Sequence, residues 1–255
     1  MPLEILTIPC LSDNYAFLAH DAGSGETALI DVPDAAPVLA ALADRGWKLS
    51  HVLLTHHHWD HVQGLDEVLA AHPAKVIGAA ADVGRLPPLD IAVSGGDTVT
   101  VGDDTCRVID VPGHTIGHVA YHFPHSAAVF TADSLMALGC GRLFEGSAAQ
   151  MWESLGRLAA LPDDTMVYSG HEYTQANGAF ALTIEPDNSD LISRVRDITE
   201  TRAANRPTVP SALSLERATN PFLRAAESAV QRNIGMPGAD PVDVFAEIRA
   251  RKDKF

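Results

Sequence analysis

Short apolar runs alternate with polar breaks along the first two-thirds of the chain. "LEILTIP" (3–9), "YAFLAH" (15–20) and "TALIDV" (27–32) are each bounded by Gly, Pro, Asp or Ser, the pattern of strands. "AAPVLAALADRG" (35–46) has helical spacing and a glycine stop. "SHVLLTH" (50–56) predicts a strand running into histidines. "QGLDEVLAAHP" (63–73) predicts a helix closed by Pro73, and "KVIGA" (75–79) a strand. A second strand-rich set follows at 97–101, 105–112, 118–123 and 127–133, then a helix at 148–161 and a strand at 165–171. Beyond that the pattern is helical, at 174–184, 188–205, 224–235 and 241–251, with loops at "RPTVPSAL" and "NPF". No period of about 20–50 residues recurs. "TALIDV" and "AAVFTAD" echo one another, both being apolar strands that end at an acid, as in a fold with two similar halves.

The chain has 255 residues, enough for one large domain or one domain with a smaller partner. No apolar run approaches the ~18 residues of a membrane span. The N-terminal "MPLEILTIPC" lacks a basic region followed by an apolar stretch, so no signal peptide is expected. Cys10, Cys106 and Cys140 are odd in number and far apart, which fits a reducing, cytoplasmic setting better than a disulfide framework.

Charge is unevenly spread. Residues 1–171 hold 7 Lys+Arg against 21 Asp+Glu, a net of −14, whereas residues 172–255 have a net of −1. An acidic body argues against nucleic-acid binding, because phosphate contacts need a basic surface. All 12 histidines lie at or before His171. The chain therefore divides chemically near residue 172, giving domains expected at 1–171 and 172–255.

The densest chemistry is "LLTHHHWDHVQG" (53–64), with four histidines and an aspartate within positions 56–61. A packed core cannot satisfy so many ring nitrogens cheaply. In a turn after a strand, His56 and His58 can point at one cation, and Asp60 and His61 at a neighbour. Imidazole and carboxylate suit zinc, iron or manganese. Structural zinc normally uses more cysteine, and no CxxC occurs, so the set reads as catalytic. Three more strand ends offer ligands: His114 in "VIDVPGHTIGH", Asp133 in "AVFTADS" and His171 in "MVYSGHEYT". Strand ends that converge on one sheet edge are how α/β enzymes build sites.

"THHHWDH" resembles the T-H-x-H-x-D-H signature of the metallo-β-lactamase superfamily, and His114, Asp133 and His171 follow in that superfamily's order. The resemblance covers residues 1 to about 171. It implies an α+β class fold: an αββα sandwich followed by a smaller C-terminal helical domain. It also implies two divalent metal ions, with His56, His58 and His114 on one, Asp60, His61 and His171 on the other, and Asp133 bridging. Zinc is the first expectation, with iron or manganese as alternatives. His57 is expected to brace the loop, His118 to support the ligands and Asp31 to be structural.

Superfamily membership does not settle the substrate. "GCGRLFEG" (139–146), "SGHEYT" (169–174), "NPFLR" (220–224) and "RARKDKF" (249–255) together resemble the glyoxalase II (hydroxyacylglutathione hydrolase) family over essentially the whole chain. That family hydrolyses S-D-lactoylglutathione to glutathione and D-lactate, the second step of methylglyoxal detoxification. The resemblance implies that a hydroxide generated between the two cations attacks the thioester carbonyl, that Asp60 and Asp133 serve this catalysis, and that thiolate leaves without a strong general acid. Arg142, Phe144, Tyr173, Arg249 and Lys252 fall at positions that meet the glutathione portion. The family usually has Lys at 142 and Tyr at 144. It commonly has Gly where Ala132 stands and Thr where Ser134 stands. Cys140 is expected to be structural. The expected partner is a small glutathione thioester, with no nucleic acid and no membrane, and the expected form is a monomer. An iron-dependent persulfide dioxygenase of the same fold is the nearest alternative; a lactonase, a β-lactamase, a nuclease or a non-catalytic binding protein is more distant.

Overall fold

The computed structural model describes residues 1–255. The chain divides into two compact units, one made of Met1–Val111 with Ile116–Ala132, the other of Pro112–Thr115 with Asp133–Phe255.

In the first unit, β1 (Glu4–Cys10), β2 (Asn14–His20) and β3 (Thr27–Ile30) pair antiparallel. Next come α1 (Ala35–Arg45), β4 (His51–Leu53), α2 (Trp59–Val62), α3 (Leu65–Ala71), β5 (Lys75–Ala79) and β6 (Ile91–Val93). From β3 to β6 the pairing is parallel. Every residue of β3 is buried, as a parallel strand covered on both faces requires. Helix α1 starts where Asp34 accepts from the Ala36 N–H and stops at Gly46, whose φ of 66° is the left-handed turn that glycine takes without a Cβ clash.

A second antiparallel set comprises β7 (Thr98–Val101), β8 (Asp104–Asp110), β9 (Val119–Phe123) and β10 (Ala128–Ala132). It stacks on the first sheet. Phe17 and Phe130 meet with ring centroids 5.5 Å apart, and the buried Tyr121 hydroxyl donates to the Leu54 carbonyl at 2.8 Å. Cys10 and Cys106 lie buried here.

The second unit begins with a tight hairpin, β11 (Leu135–Met136) and β12 (Gly139–Cys140), followed by α4 (Ala148–Ala159) and β13 (Met166–Ser169). The rest is mainly helical: α5 (Thr174–Ile184), α6 (Ser189–Ala203), the short β14 (Ser211–Ala212) on β13, α7 (Leu213–Thr219), α8 (Ser228–Asn233) and α9 (Pro241–Lys252). The segment read from the pattern as the loop 206–213 thus ends in a strand pair and opens a helix.

A buried polar network holds the hairpin. Glu216 of α7, fully buried, accepts from Leu138 N–H at 2.9 Å, Ser211 Oγ at 2.6 Å and Asn220 Nδ2 at 3.1 Å, and pairs with the buried Arg194. Asn220 Nδ2 also donates to the Met136 and Gly139 carbonyls, and Asn177 Nδ2 to that of Ala137. A carboxylate and guanidinium taken out of water are tolerable only with partners on this scale. No helix of the chain is long and apolar enough to cross a membrane.

Candidate active site

In the first unit the histidine run leaves β4 and enters α2. Asp31, just past β3, holds that turn from inside. Its carboxylate accepts from Thr55 N–H, Thr55 Oγ1–H and His61 Nδ1–H, each at 2.8 Å. Because the Thr55 hydroxyl gives its proton to Asp31, its oxygen accepts from His56 Nδ1–H at 3.0 Å. Both rings are fully buried. The structure brings His56, His58 and His61 together, with ring centroids 4.8 Å apart for His56–His58 and 4.3 Å for His56–His61. Asp60 receives Asn14 Nδ2–H at 3.0 Å on Oδ2, which stands 3.9 Å from His61 Nε2.

Asp31, His56 and His61 present ligand-type atoms within 4.8 Å of one another. Asp31 is committed to three donors, however, so it braces Thr55 and His61. Its φ of 54° turns the chain there, a conformation aspartate tolerates better than most residues. His57 Nδ1 lies 2.8 Å from the buried carboxylate of Asp82, which also takes Arg85 Nε–H at 2.6 Å, so His57 is turned aside as a brace. His118 stacks on His56, with centroids 4.6 Å apart and planes 12° apart.

In the second unit the structure brings His114, Asp133 and His171 together. His114 Nδ1–H donates to the Arg142 carbonyl at 2.8 Å, and its Nε2 stands 3.4 Å from Asp133 Oδ2. His171 Nε2 stands 3.3 Å from Asp133 Oδ1. The packing leaves no slack. A Cβ on Gly141 would fall 2.0 Å from the Asp133 carbonyl and 2.8 Å from His114 Nδ1. Ala132, where the family commonly has glycine, has a φ of 39°, the left-handed region that glycine occupies at no steric cost.

This donor arrangement tests whether a metal suits the chain. His56, His61 and His114 each donate through Nδ1 to a fixed acceptor, so in the neutral ring the lone pair sits on Nε2. In His114 that lone pair faces a carboxylate oxygen. Electron pair against electron pair is unfavourable until a cation takes both. The residues fit a metal.

The residues expected to meet substrate lie in the second unit. Phe144 packs against His114 with centroids 5.2 Å apart, and Tyr173 stacks on His171 at 4.7 Å with planes 6° apart; both rings are otherwise largely exposed. Arg142 is exposed, with its Nε 3.9 Å from Asp253. Arg249 is buried: Nη1 donates to the Cys140 carbonyl at 2.9 Å, and Nε and Nη2 to Asp253 at 3.1 and 2.9 Å. Lys252 donates to the Ala176 carbonyl at 3.3 Å. Burial, then the charges of Arg249 and Arg142, lower its pKa, while Asp253 opposes them. Burial pushes the Cys140 thiol up to about 11, although Arg249 pulls it back.

Two positioning groups were missed in the chain pattern. Glu172, wedged between His171 and Tyr173, accepts Thr208 N–H at 2.8 Å and Thr208 Oγ1–H at 2.6 Å. Asn14 at the start of β2 holds Asp60. Neither carries a spacing signal, because each meets its partner only through the fold.

Comparison with known proteins identifies the family. Residues 20–171 match the model of the metallo-β-lactamase superfamily, and residues 172–255 that of the hydroxyacylglutathione hydrolase C-terminus. The chain is 63% identical to a hydroxyacylglutathione hydrolase of Ruegeria pomeroyi across 100% of both chains. Among solved structures it is similar to ETHE1 from Myxococcus xanthus, with a TM-score of 0.65 and 27% identity over 99% of this chain and 100% of that one. TTHA1623, solved in a di-iron-bound form, gives 0.62 and 26% over 86% of this chain and all of that one. With an α+β metallo-β-lactamase fold completed by a helical C-terminus, and a full-length likeness of this degree, the chain belongs to the hydroxyacylglutathione hydrolase family.

Proposed function

We propose that this enzyme hydrolyses the thioester of S-2-hydroxyacylglutathiones, S-D-lactoylglutathione first, to glutathione and the hydroxy acid. The observation that carries the reading is the family's own C-terminal model matching residues 172–255, the segment that supplies Tyr173, Arg249 and Lys252. On this reading residues 1–171 supply the chemistry with Arg142 and Phe144 at the substrate, and residues 172–255 supply the remaining substrate contacts.

The chain would hold two divalent cations, His56, His58 and His114 serving as ligands of one, Asp60, His61 and His171 of the other, and Asp133 of both. Zinc is the first candidate, with iron or manganese next. Such cations, when bound, make water acidic enough to supply hydroxide near neutrality and polarise a carbonyl. The chain's own residues do the rest. Asp60, held by Asn14, orients the attacking oxygen. Asp31, Thr55 and the Arg142 carbonyl keep each proton on Nδ1, so Nε2 stays a donor of electrons. Arg142, Arg249 and Lys252 provide positive charge for glutathione's carboxylates in a chain whose overall charge is −15. Arg142 offers a fork where the family usually has a point charge. Tyr173 offers a hydroxyl, and Phe144 only a ring face. The leaving thiol has a pKa of about 8.5, so no strong general acid is required. The enzyme acts as a cytoplasmic monomer.

The test is thioester loss from S-D-lactoylglutathione by purified enzyme, with metal content measured on the same sample. Turnover with two metals per chain, both lost in Asp133→Ala, is expected. A fully metallated sample that leaves the thioester intact would overturn the substrate; glutathione persulfide with an oxygen-uptake readout would then be offered.

A further inference from the structure

Lys252 has a long, flexible arm, yet its ammonium is held on three sides. Its Nζ lies 5.2 Å from the ring centroid of Phe180 and 5.2 Å from that of Phe255, and donates to the Ala176 carbonyl. Phe180, on α5, is buried at 1% exposure, and its place is explained by the core. Phe255 is 65% exposed. Its ring meets Phe180 edge-on, with centroids 5.5 Å apart and planes at 66°. A largely exposed aromatic ring contributes little to core packing. What it does here is form the second wall of a cage around one ammonium. A cation over an aromatic face is attracted by the ring quadrupole, and a lysine so held gives up less rotamer freedom when it pairs with an anion.

We propose that Phe255 is a positioning residue that, with Phe180, aims the Lys252 ammonium at a carboxylate of the glutathione moiety. The proposal rests on the reading that Lys252 contacts substrate, and it assigns Phe255 a role in substrate affinity and none in the chemical step. Its removal should raise KM and leave kcat alone, because a carboxylate remote from the thioester is bound alike in ground and transition states.

Steady-state kinetics of Phe255→Leu, Phe255→Tyr and Lys252→Ala separate the possibilities. Phe255→Leu is expected to raise KM about 3- to 5-fold, the worth of one cation–π contact, with kcat within about two-fold. Phe255→Tyr keeps the ring and should keep the wild-type KM. Lys252→Ala should raise KM further than Phe255→Leu. In protein labelled with 13C-lysine, the Lys252 Cε protons should carry a ring-current shift absent from Lys48, Lys75 and Lys254, and should move toward those residues in Phe255→Leu. If Lys252→Ala raises KM while Phe255→Leu does not, the positioning role is wrong and the substrate reading stands. If Lys252→Ala leaves KM unchanged, the reading fails and the proposal with it. A Phe255→Leu enzyme that loses kcat at unchanged KM also overturns it.

Discussion

Glu216 gives the sharpest quantitative expectation. Replacing it by alanine removes the acceptor of Leu138 N–H, Ser211 Oγ and Asn220 Nδ2, and the counter-ion of Arg194. Arg194, at 6% exposure, then keeps only the Thr219 hydroxyl, 2.7 Å away. A buried ion left without its partner costs about 3–5 kcal/mol, far more than the intact pair contributes. The orphaned Leu138 N–H sits at the tip of the β11–β12 hairpin, where φ is already 56°, so the loss falls on a turn that needs its support. At about 2–4 °C per kcal/mol for a chain of this size, Tm should fall by roughly 6–20 °C. Thermal unfolding followed by far-UV circular dichroism measures the shift, and urea unfolding the free energy, both at fixed metal content. The Arg194→Met, Glu216→Ala double variant removes the stranded charge and should be more stable than Glu216→Ala alone. A single-variant loss under about 1 kcal/mol, or a double variant less stable than the single, would refute the argument.

Other expectations follow from the same geometry. Asp31→Asn leaves His61 and Thr55 without their shared acceptor, and should weaken metal binding about 10- to 100-fold in a chelator competition; wild-type affinity would show that Asp31 braces nothing. Gly141→Ala drives a methyl into the Asp133 carbonyl and His114, so metal content and turnover should fall together. His122 is buried and its pKa is lowered from 6.5, first by burial and then by Arg107, with Asp104 opposing. The folded state thus resists a proton that the unfolded chain accepts: this share of stability is complete above pH 6.5 and is lost as pH falls below it toward the folded value. His122→Gln should flatten the difference in urea midpoint between about pH 7 and pH 5.5; an unchanged slope would clear His122 of the effect.

Much of the first unit was legible in the chain because each strand is short, apolar and bounded by a turn residue, and because Gly46 stops α1 where its backbone conformation demands. The ligand-type residues stood out for the same reason, as polar groups placed where an apolar strand ends. What escaped was whatever depends on contacts distant in sequence. "RPTVPSAL" looks like a loop, but Ser211 and Ala212 pair with Val167 and Met166, and the next residue opens α7. Nothing in the spacing of the tail's charges marks Arg194, Glu216 and Arg249 as buried, yet all three are and serve as ties. Asp31 ends a strand like many structural acids; only the fold reveals the three donors it gathers.

The fate of the thiols bears on how long such an enzyme lasts. Cys10, Cys106 and Cys140 are all buried, and burial raises each thiol above its ordinary value, Cys10 and Cys140 to about 11. At neutral pH only about one such group in ten thousand is a thiolate, against a few per cent for a free cysteine. The reactive dicarbonyl whose glutathione adduct this family clears attacks nucleophilic thiols and guanidinium groups. A chain that hides all three cysteines leaves that electrophile no exposed thiol, and its accessible targets are guanidinium groups such as those of Arg142 and Arg196. Protection of the thiols is thus built into the same packing that forms the strands of the first unit and the hairpin of the second.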